Sequence, residues 1–417
     1  MPMTATRSPL FTPLLIAGSV VLILSFAIRS SFGVFQLPVA QLHGWDRSAF
    51  SLAIAIQNLA WGVGQPIFGA LAEKIGDRKA LTLGALLYAG GLVLTSGAAT
   101  PAAYQLYEVM VGFGIAGIGF GTILALIGRS AAPEHRSLSL GLATAAGSLG
   151  QVIGPLAAEA LLAHLPVATV FLVFAAAILS SLLLLPFLHA PMHPQAAGAV
   201  EPMTTVVARA FRDPSFTLIF LGFFSCGYQL GFITAHFPAF VTEVCGAIDP
   251  RGPLAAFGIS TTSALGAASI AFIGVANIGG TLLAGWLGKR YSKKYLLAGV
   301  YLLRTMVASA FILTPMTPAT VVLFALAMGA LWLATVPLTS GLVAQIYGVR
   351  YMGTLYGIVF FSHQLGSFIG VWLGGRLYDL YGNYTLVWWV GIGVGAFSAL
   401  VHLPVQERPM ELRTART

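Results

Sequence analysis

About twelve apolar stretches of roughly 20 residues each follow one another along the chain, separated by short polar segments. Such a stretch, folded as an α-helix, crosses the hydrocarbon core of a bilayer with its backbone polar groups paired inside the helix. Charged residues make up only 8% of the sequence, against about 25% in soluble proteins. They are too few to cover a water-exposed surface of this size, so the sequence predicts an all-α protein whose solvent is mostly lipid.

A polar interruption divides the apolar stretches into two groups of six. Spans are predicted to begin near Thr12, Ser48, Leu81, Tyr104, Ser137, Ala168, Ser215, Ser263, Tyr295, Val321, Met352 and Tyr384. The interruption, residues 189–214, is predicted to be a cytoplasmic linker. Residues 1–188 would form the first six-helix bundle, and residues 215–417 the second bundle with a short cytoplasmic tail. The first stretch is too long for the core of a signal peptide and is interpreted as a retained span.

Lysine and arginine are distributed unevenly between alternate loops. With a cytoplasmic N-terminus, 16 of the 21 fall in cytoplasmic segments, three in outer loops (Arg47, Arg251 and Arg376) and two, Arg29 and Arg304, inside spans. Because basic residues are in excess on the cytoplasmic side of membrane proteins, both termini are predicted to be cytoplasmic. The same distribution accounts for the net charge of +8 without nucleic acid as a partner.

The two halves repeat each other at a spacing of 216 residues. The segment from Gly69, after the second span, matches the segment from Gly285, after the eighth. Glycines of the fifth span recur at the same spacing in the eleventh, in the pairs Gly141 and Gly357, Gly150 and Gly366, and Gly154 and Gly370. One spacing in two separate regions indicates a duplicated six-helix unit. Parallel repeats of this kind build transporters that rock around a central site.

Residues 69–79 resemble the motif between the second and third helices of the major facilitator superfamily, with Glu73 in place of the usual aspartate. Further stretches resemble the bacterial branch of the monocarboxylate transporter family, namely residues 32–35, 44–48, 55–62, 136–141, 337–339 and 362–366, together with Asp379. The resemblance covers nearly the whole chain and implies two pseudo-symmetric six-helix bundles that work by alternating access. It also implies a gating role for Gly69, Glu73, Gly76 and Arg78.

Two departures from the family pattern bear on the substrate. Many carboxylate carriers of that family have an arginine in helix eight that pairs with the substrate, whereas the eighth span here offers Asn277. Drug exporters of the superfamily often have an arginine in helix four, where this chain has Glu108. The resemblance therefore predicts the fold more narrowly than the substrate.

Arg29 is the clearest candidate for substrate binding. It lies inside the first span, where a charge costs about 2.5–3.5 kcal/mol on insertion scales and usually faces a cavity or a partner. A guanidinium stays protonated and grips a carboxylate with two parallel hydrogen bonds. The alternatives are a structural pairing between helices and a side chain that reaches toward the outer surface.

Other titratable side chains in the spans are candidates for proton coupling or gating. Glu108 and His363 are the main candidates for carrying a proton, and His236, near the outer end of the seventh span, is a weaker one. A buried carboxyl and a histidine both change charge in a range that suits proton coupling. For each of them a structural hydrogen bond is the alternative. Arg304, inside the ninth span, is expected to have a structural or gating role.

Polar side chains in spans expected to line a cavity complete the predicted site. They are Gln57, Asn58, Tyr228, Gln229, Asn277, Thr335, Gln364 and also His363. A few polar groups in an apolar pocket suit a small molecule, although amides also hold membrane helices together.

The sequence contains no catalytic or metal-binding motif, and no cofactor is expected. A GxGxxG pattern at residues 112–117 lies inside an apolar span and follows no strand, so close helix packing explains it. The leading hypothesis is proton-coupled uptake of a small organic anion, a monocarboxylate, by a monomer in the bacterial inner membrane. The alternative is proton-driven efflux of drugs or metabolites.

Overall fold

The computed structural model describes four stretches of the chain, and all four are built of helices. These stretches are residues 10–132, 135–189, 203–348 and 352–409. Arg7, Arg350 and the tail beyond residue 409, which entered the prediction of topology, lie outside them. Most of the predicted linker lies outside them as well, but its C-terminal part forms the helix Met203–Arg212.

Seventeen α-helices are formed by the described residues. Those before the linker are α1 (Pro13–Ser31), α2 (Gln36–His43), α3 (Arg47–Ile75), α4 (Asp77–Ser96), α5 (Pro101–Ile118), α6 (Phe120–Ser130), α7 (Arg136–Leu162) and α8 (Val167–Ser180). The others are α9 (Met203–Arg212), α10 (Pro214–Val244), α11 (Pro253–Ala256), α12 (Thr262–Leu287), α13 (Lys293–Leu313), α14 (Pro318–Leu331), α15 (Thr335–Tyr347), α16 (Met352–Tyr381) and α17 (Thr385–His402). Two 3₁₀ segments, Phe32–Phe35 and Ser181–Phe187, continue α1 and α8.

Several helices begin where the sequence pairs a capping residue with a proline. The hydroxyls of Thr12, Thr100 and Thr317 accept hydrogen bonds from backbone N–H groups of the first turn, and a proline follows each of them. The hydroxyl satisfies an N–H that the helix itself cannot pair, and proline fits the first position because its missing N–H would be unpaired there. These pairs determine where α1, α5 and α14 start.

Eleven helical stretches of the described residues are long and apolar enough to cross a membrane. The helix α3 is also long enough, with 29 residues, but it carries Gln57, Asn58 and Gln65 among its apolar residues. It packs against both α5 and α16. With α3 included, the described helices follow the predicted order of twelve spans.

The fourth and tenth spans are interrupted at corresponding places. Between α5 and α6, Gly119 has an extended backbone, with φ −90° and ψ −166°. Residues 332–334 separate α14 from α15. Because α6 begins at Phe120 and α15 at Thr335, the two interruptions lie 215 positions apart, close to the spacing of the sequence repeat. The duplication therefore extends to the interruption of a helix.

The buried apolar side chains form two clusters, and each cluster is drawn almost entirely from one half of the chain. The halves meet where α3 packs on α16, where α7 packs on α12, and where the segment Phe32–Phe35 packs on α10. Glycine permits the close approach, because a Cβ added to Gly274 of α12 would lie 2.9 Å from Val152 of α7. The two apolar bundles therefore meet along these helix pairs.

Candidate substrate site between the two halves

Arg29 lies at the boundary between the halves. Its Nη2 donates a hydrogen bond to Asn58 Oδ1 at 3.2 Å, and its guanidinium carbon lies 4.6 Å from the ring centroid of Trp61. Its Nε is buried, and no described residue accepts a hydrogen bond from it. A cleft at this point is lined by Arg29, Phe32, Gly33, Ile54, Gln57 and Asn58 of the first half and by Gly231, Thr234 and Ala235 of the second.

The close approach of α10 brings the second half to Arg29. After Ser31 the first span continues as a 3₁₀ segment that contains Gly33. A Cβ at Gly33 would overlap the carbonyl oxygen of Thr234 in α10. Only a residue without a side chain lets these two backbones touch, and the contact encloses the cleft beside Arg29.

Glu108 lies behind the cleft rather than in its lining. The side chain is completely buried on α5, where Gln57 Nε2 donates to its Oε2 at 2.6 Å. Thr95 Oγ1 donates to the other carboxyl oxygen at 3.4 Å. Gln57 also lines the cleft, so a single amide separates this buried carboxyl from the cavity.

Gln364 and His363 reach the boundary from the second half. Gln364 on α16 packs against α3, where a Cβ on Gly62 would lie 2.7 Å from its Cβ. Its Oε1 lies 3.2 Å from His363 Nδ1, while its Nε2 is buried without a partner among the described residues. His363 stacks on Phe360 with a centroid distance of 5.8 Å, and Phe360 meets the edge of Trp61 at 5.4 Å. These ring contacts therefore connect His363 to Trp61, the ring against which Arg29 packs.

Asn277 joins the halves and the interrupted tenth span. Its Nδ2 donates to Ser148 Oγ in the first half at 3.1 Å. Its Oδ1 accepts from the backbone N–H of Leu333 at 3.0 Å, inside the gap between α14 and α15. Both ends of the amide are thus engaged in protein contacts, as expected if Asn277 holds helices together rather than binding a substrate.

Arg304 occupies the same gap from the other side. It is completely buried, its Nε donates to the carbonyl oxygen of Leu331 at 3.1 Å, and Nη2 bonds the carbonyls of Leu331 and Trp332. Its Nη1 donates to Cys226 Sγ at 3.4 Å, and Cys226 Sγ lies 3.2 Å from Thr335 Oγ1. The guanidinium therefore pairs backbone groups that the broken helix leaves free.

Tyr228 and Gln229 face into the second half. Gln229 Nε2 donates to the carbonyl oxygen of Gly391 at 3.1 Å, and its side chain lines a separate small cavity with Trp388. The hydroxyl of Tyr228 is buried without a partner among the described residues. Neither side chain lines the cleft at Arg29.

The motif at residues 69–79 makes its described contacts within the first half. Asp77 forms an ion pair with Arg129, and Arg78 Nη2 donates to the carbonyl oxygen of Pro186 at 2.7 Å. Gly76 has φ +92°, a conformation that favours glycine. A Cβ on Gly69 would meet nothing within 4 Å, and the side chain of Glu73 lies outside the described residues.

A polar cluster joins the halves at the end of the molecule where α3 begins and α16 ends, here called the Arg47 face. The cluster consists of Gln36, Arg47, His236, Glu243, Asp379 and Tyr384. His236 Nε2 donates to the carbonyl oxygen of Val371 at 2.8 Å, so Nδ1 accepts from Gln36 Nε2 at 2.8 Å and from Tyr384 at 3.1 Å. His236 is thus engaged in this cluster rather than in the Arg29 cleft.

Sequence reasoning missed most of this cluster as a site. Gln36, Glu243 and Tyr384 carry no motif of their own in the sequence. Arg47 and Asp379 lie in stretches that carry the family resemblance, which was the available signal. Their contact joins positions 332 residues apart, so no local pattern indicated it.

Three polar contacts at the opposite end of the molecule each stay within one half. The ion pair of Arg129 with Asp77 belongs to the first half. Tyr347 donates to Asp213 at 2.6 Å, and the backbone N–H of Lys294 donates to Glu407 at 2.7 Å, both within the second half. None of these three contacts joins the halves, whereas the Arg47 cluster does.

Comparisons with known proteins agree with this architecture. The sequence profile of the Major Facilitator Superfamily matches residues 18–371, and a second match covers residues 250–417. The chain is 27% identical over 390 residues to YcxA of Bacillus subtilis, described as an uncharacterized MFS-type transporter, and the match covers 90% of each chain. It is 26% identical over 412 residues to monocarboxylate transporter 13 of Rattus norvegicus, with 94% of this chain and 89% of the relative covered.

The fold is also that of solved transporter structures. The nucleoside transporter NupG has a TM-score of 0.74 and 15% identity, and the alignment covers 94% of this chain and 99% of NupG. The relatives and the structural neighbour are transporters and not enzymes. The chain therefore belongs to the Major Facilitator Superfamily of membrane transporters.

Proposed function

We propose that this protein is a secondary active transporter that takes up a small organic anion, a monocarboxylate, together with a proton across the bacterial inner membrane. The observation that carries the proposal is Arg29, a cation at the boundary between the halves whose buried Nε has no described partner. A carboxylate bound there would accept hydrogen bonds from Nε and from a terminal nitrogen, the bidentate geometry that guanidinium favours.

The lining of the cleft supports an anionic organic substrate. Among the described residues that line it, Arg29 is charged and none is acidic. A cationic drug would meet Arg29 without a compensating carboxylate, which disfavours the alternative of cationic drug efflux. The cleft has room for about one water molecule in this conformation, so a small acid would enter only when the cleft widens. The apolar side chains of Phe32, Ile54 and Ala235 would then face the carbon part of the acid. The similarity to monocarboxylate transporter 13 points to the same class.

The contacts that join the halves at the Arg47 face support alternating access. If the Arg47 face is the outer face, as the distribution of basic residues predicts, the structure represents a state closed to the outside. Release into the cytoplasm would then precede opening of the Arg47 cluster. Rocking of duplicated bundles about a central site is the general mechanism of such repeats.

Glu108 is the proposed proton carrier. It is a buried carboxyl with one amide, Gln57, between it and the cleft. A carboxyl held away from water is stable when neutral and costly when charged. Proton binding at Glu108 and anion binding at Arg29 would therefore favour each other, because together they add no net charge to the membrane interior. His363 does not line the cleft, and its contact with Phe360, which meets Trp61, connects it there indirectly, which makes it the weaker candidate.

The test is counterflow of labelled pyruvate and lactate in proteoliposomes that contain the purified protein. We expect saturable flux in the wild type and a loss of at least about tenfold in Arg29→Ala, since a charge-assisted bidentate contact contributes about 1.5–3 kcal/mol. Arg376→Ala, which removes an exposed arginine from α16, is the matched control and should transport normally. Carboxylate flux that survives Arg29→Ala unchanged would remove Arg29 from the site. Drug efflux from cells with no carboxylate flux would overturn the proposed substrate class.

A further inference from the structure

The first turn of α3 is capped by a residue of the opposite half. Helix α3 begins at Arg47, and the side chain of its N-cap residue, Asp46, makes no capping hydrogen bond. Instead, Asp379 near the C-terminal end of α16 accepts both leading N–H groups. Its Oδ1 accepts from the N–H of Arg47 at 3.1 Å, and its Oδ2 accepts from the N–H of Ser48 at 2.8 Å.

The first N–H groups of a helix have no partner within the helix, and the helix dipole makes that end positive. A local cap stays with its helix in every conformation of the protein. Asp379 differs because it comes from the other half, so its two hydrogen bonds exist only while the halves meet at the Arg47 face. The cap therefore stabilises one conformation over another rather than the fold as a whole.

The side chain of Arg47 completes the same contact. Its Nη1 donates to the hydroxyl of Tyr384 at 2.9 Å, and it forms an ion pair with Glu243. Its guanidinium carbon lies 3.7 Å from the ring centroid of Tyr378. Each of these partners belongs to the second half. The backbone and the side chain of one residue are thus held by the opposite bundle.

The capped helix also carries residues of the candidate substrate site. Asn58 and Trp61, which hold Arg29, lie three to four turns into α3. A helix is a stiff element, so its position at the Arg47 face affects the position of these two side chains. Closure at that face is in this way mechanically connected to the geometry around Arg29.

We infer that Asp379 is a positioning residue that caps α3 while the Arg47 face is closed, and that Asp46 replaces it as the cap when the face is open. The exchange of these two caps sets the balance between the closed and open states of the Arg47 face. Asp46 is exposed and already has the extended backbone of an N-cap residue, with φ −61° and ψ 153°. When the halves separate, its carboxylate is free to cap the same turn. The two aspartates then have opposite effects on the equilibrium. The link to transport rests on the proposed function, but the exchange of caps does not.

The experiment measures the distance between spin labels across the Arg47 face in detergent, without substrate. Labels at Leu42→Cys and Phe257→Cys report on exposed positions of the two halves. The partly exposed Cys245 is replaced by serine, and the other native cysteine, Cys226, is buried. Wild type is expected to be mostly at the short distance.

Asp379→Ala should raise the ratio of open to closed protein by about tenfold, the size of effect that the loss of an N-cap produces. Asp379→Asn should have a smaller effect in the same direction, because one amide oxygen can still accept, and it serves as the test if the alanine variant does not fold. Asp46→Ala should shift the ratio toward the closed state. A purely structural role would not give shifts of opposite sign.

Asp249→Asn is the matched control. It removes the same charge from the second half at the same face, but the hydrogen bond that the described residues give the Asp249 side chain stays in its own loop, where it accepts from the N–H of Arg251 at 2.9 Å. Distances that remain unchanged in both Asp379 variants, or shifts of the same sign in the Asp379 and Asp46 variants, would overturn the inference. The expected shifts in a protein that moves no carboxylate would overturn only the proposed function.

Discussion

Replacing Trp61 tests whether the orientation of Arg29 matters for substrate binding. The guanidinium lies over the indole ring at 4.6 Å, and Asn58 holds one of its terminal nitrogens. Trp61 itself is fixed by a hydrogen bond from its Nε1 to Gln65 at 3.2 Å and by the edge contact with Phe360. The ring is thus a rigid platform that leaves the buried Nε of Arg29 available for a carboxylate.

The size of the effect follows from the contact that is lost. A cation–π contact is worth about 0.5–1 kcal/mol at an exposed site and about 2 kcal/mol when desolvated. Trp61 is 5% exposed, so the upper part of that range applies. About 1.5–2 kcal/mol corresponds to roughly a 10- to 30-fold rise in KM for the carboxylate in Trp61→Leu. Trp61→Phe keeps a weaker aromatic face and should lie between this variant and wild type.

The assay is initial-rate uptake of labelled pyruvate by proteoliposomes over a range of concentrations. KM should rise with little change in the maximal rate, because the ring orients Arg29 but does not itself move between states. Trp372→Leu, which removes a tryptophan of α16 that is 38% exposed, is the matched control and should leave both parameters unchanged. An unchanged KM in Trp61→Leu, with the protein folded, would refute the platform.

Two further predictions concern groups away from the cleft. In Glu108→Gln the side chain can still accept the hydrogen bond of Gln57 but cannot release a proton. A pH gradient should therefore no longer accelerate uptake, while counterflow persists. Equal acceleration of uptake in the variant and the wild type would exclude Glu108 as the proton carrier. Arg304→Met should lower the free energy of unfolding in mixed detergent micelles by about 2–6 kcal/mol. The reason is that the buried carbonyls of Leu331 and Trp332 lose their hydrogen-bond donors, at a cost of about 1–3 kcal/mol each. A variant as stable as wild type would contradict this prediction.

The helices were predictable because the signals that form each helix lie within its own stretch of sequence. Apolar length sets the spans, and pairs such as Thr12 with Pro13 set where a helix starts. Two features of the fold were less accessible. The first is α3, whose polar side chains lower its hydropathy along the part that packs between α5 and α16. The second is the break in the tenth span, which is stabilised by Asn277 and Arg304 from other helices and so depends on contacts distant in sequence.

The candidate site shows the same division. The location of Arg29 beside a cleft was predictable because a charge in lipid requires a compensating environment, and this cleft lies where the halves meet. Its role in substrate binding stays a prediction. The polar residues predicted to line the site do not all lie at the cleft. Gln57 and Asn58 line the cleft, whereas Gln229, one helix position from Tyr228, bonds inside the second half.

An amide in an apolar span signals only that a partner exists, and the partner depends on which face of the helix it occupies. For a helix such as α10, buried on most of its circumference, the hydrophobic pattern does not distinguish those faces. The contact of Arg47 with Asp379 is still harder to predict from the sequence, because it belongs to one conformation of the protein. A sequence constrains every state of the transport cycle at once, so residues that serve a single state leave no periodic signal. They become recognisable only when a structure shows which helix ends meet.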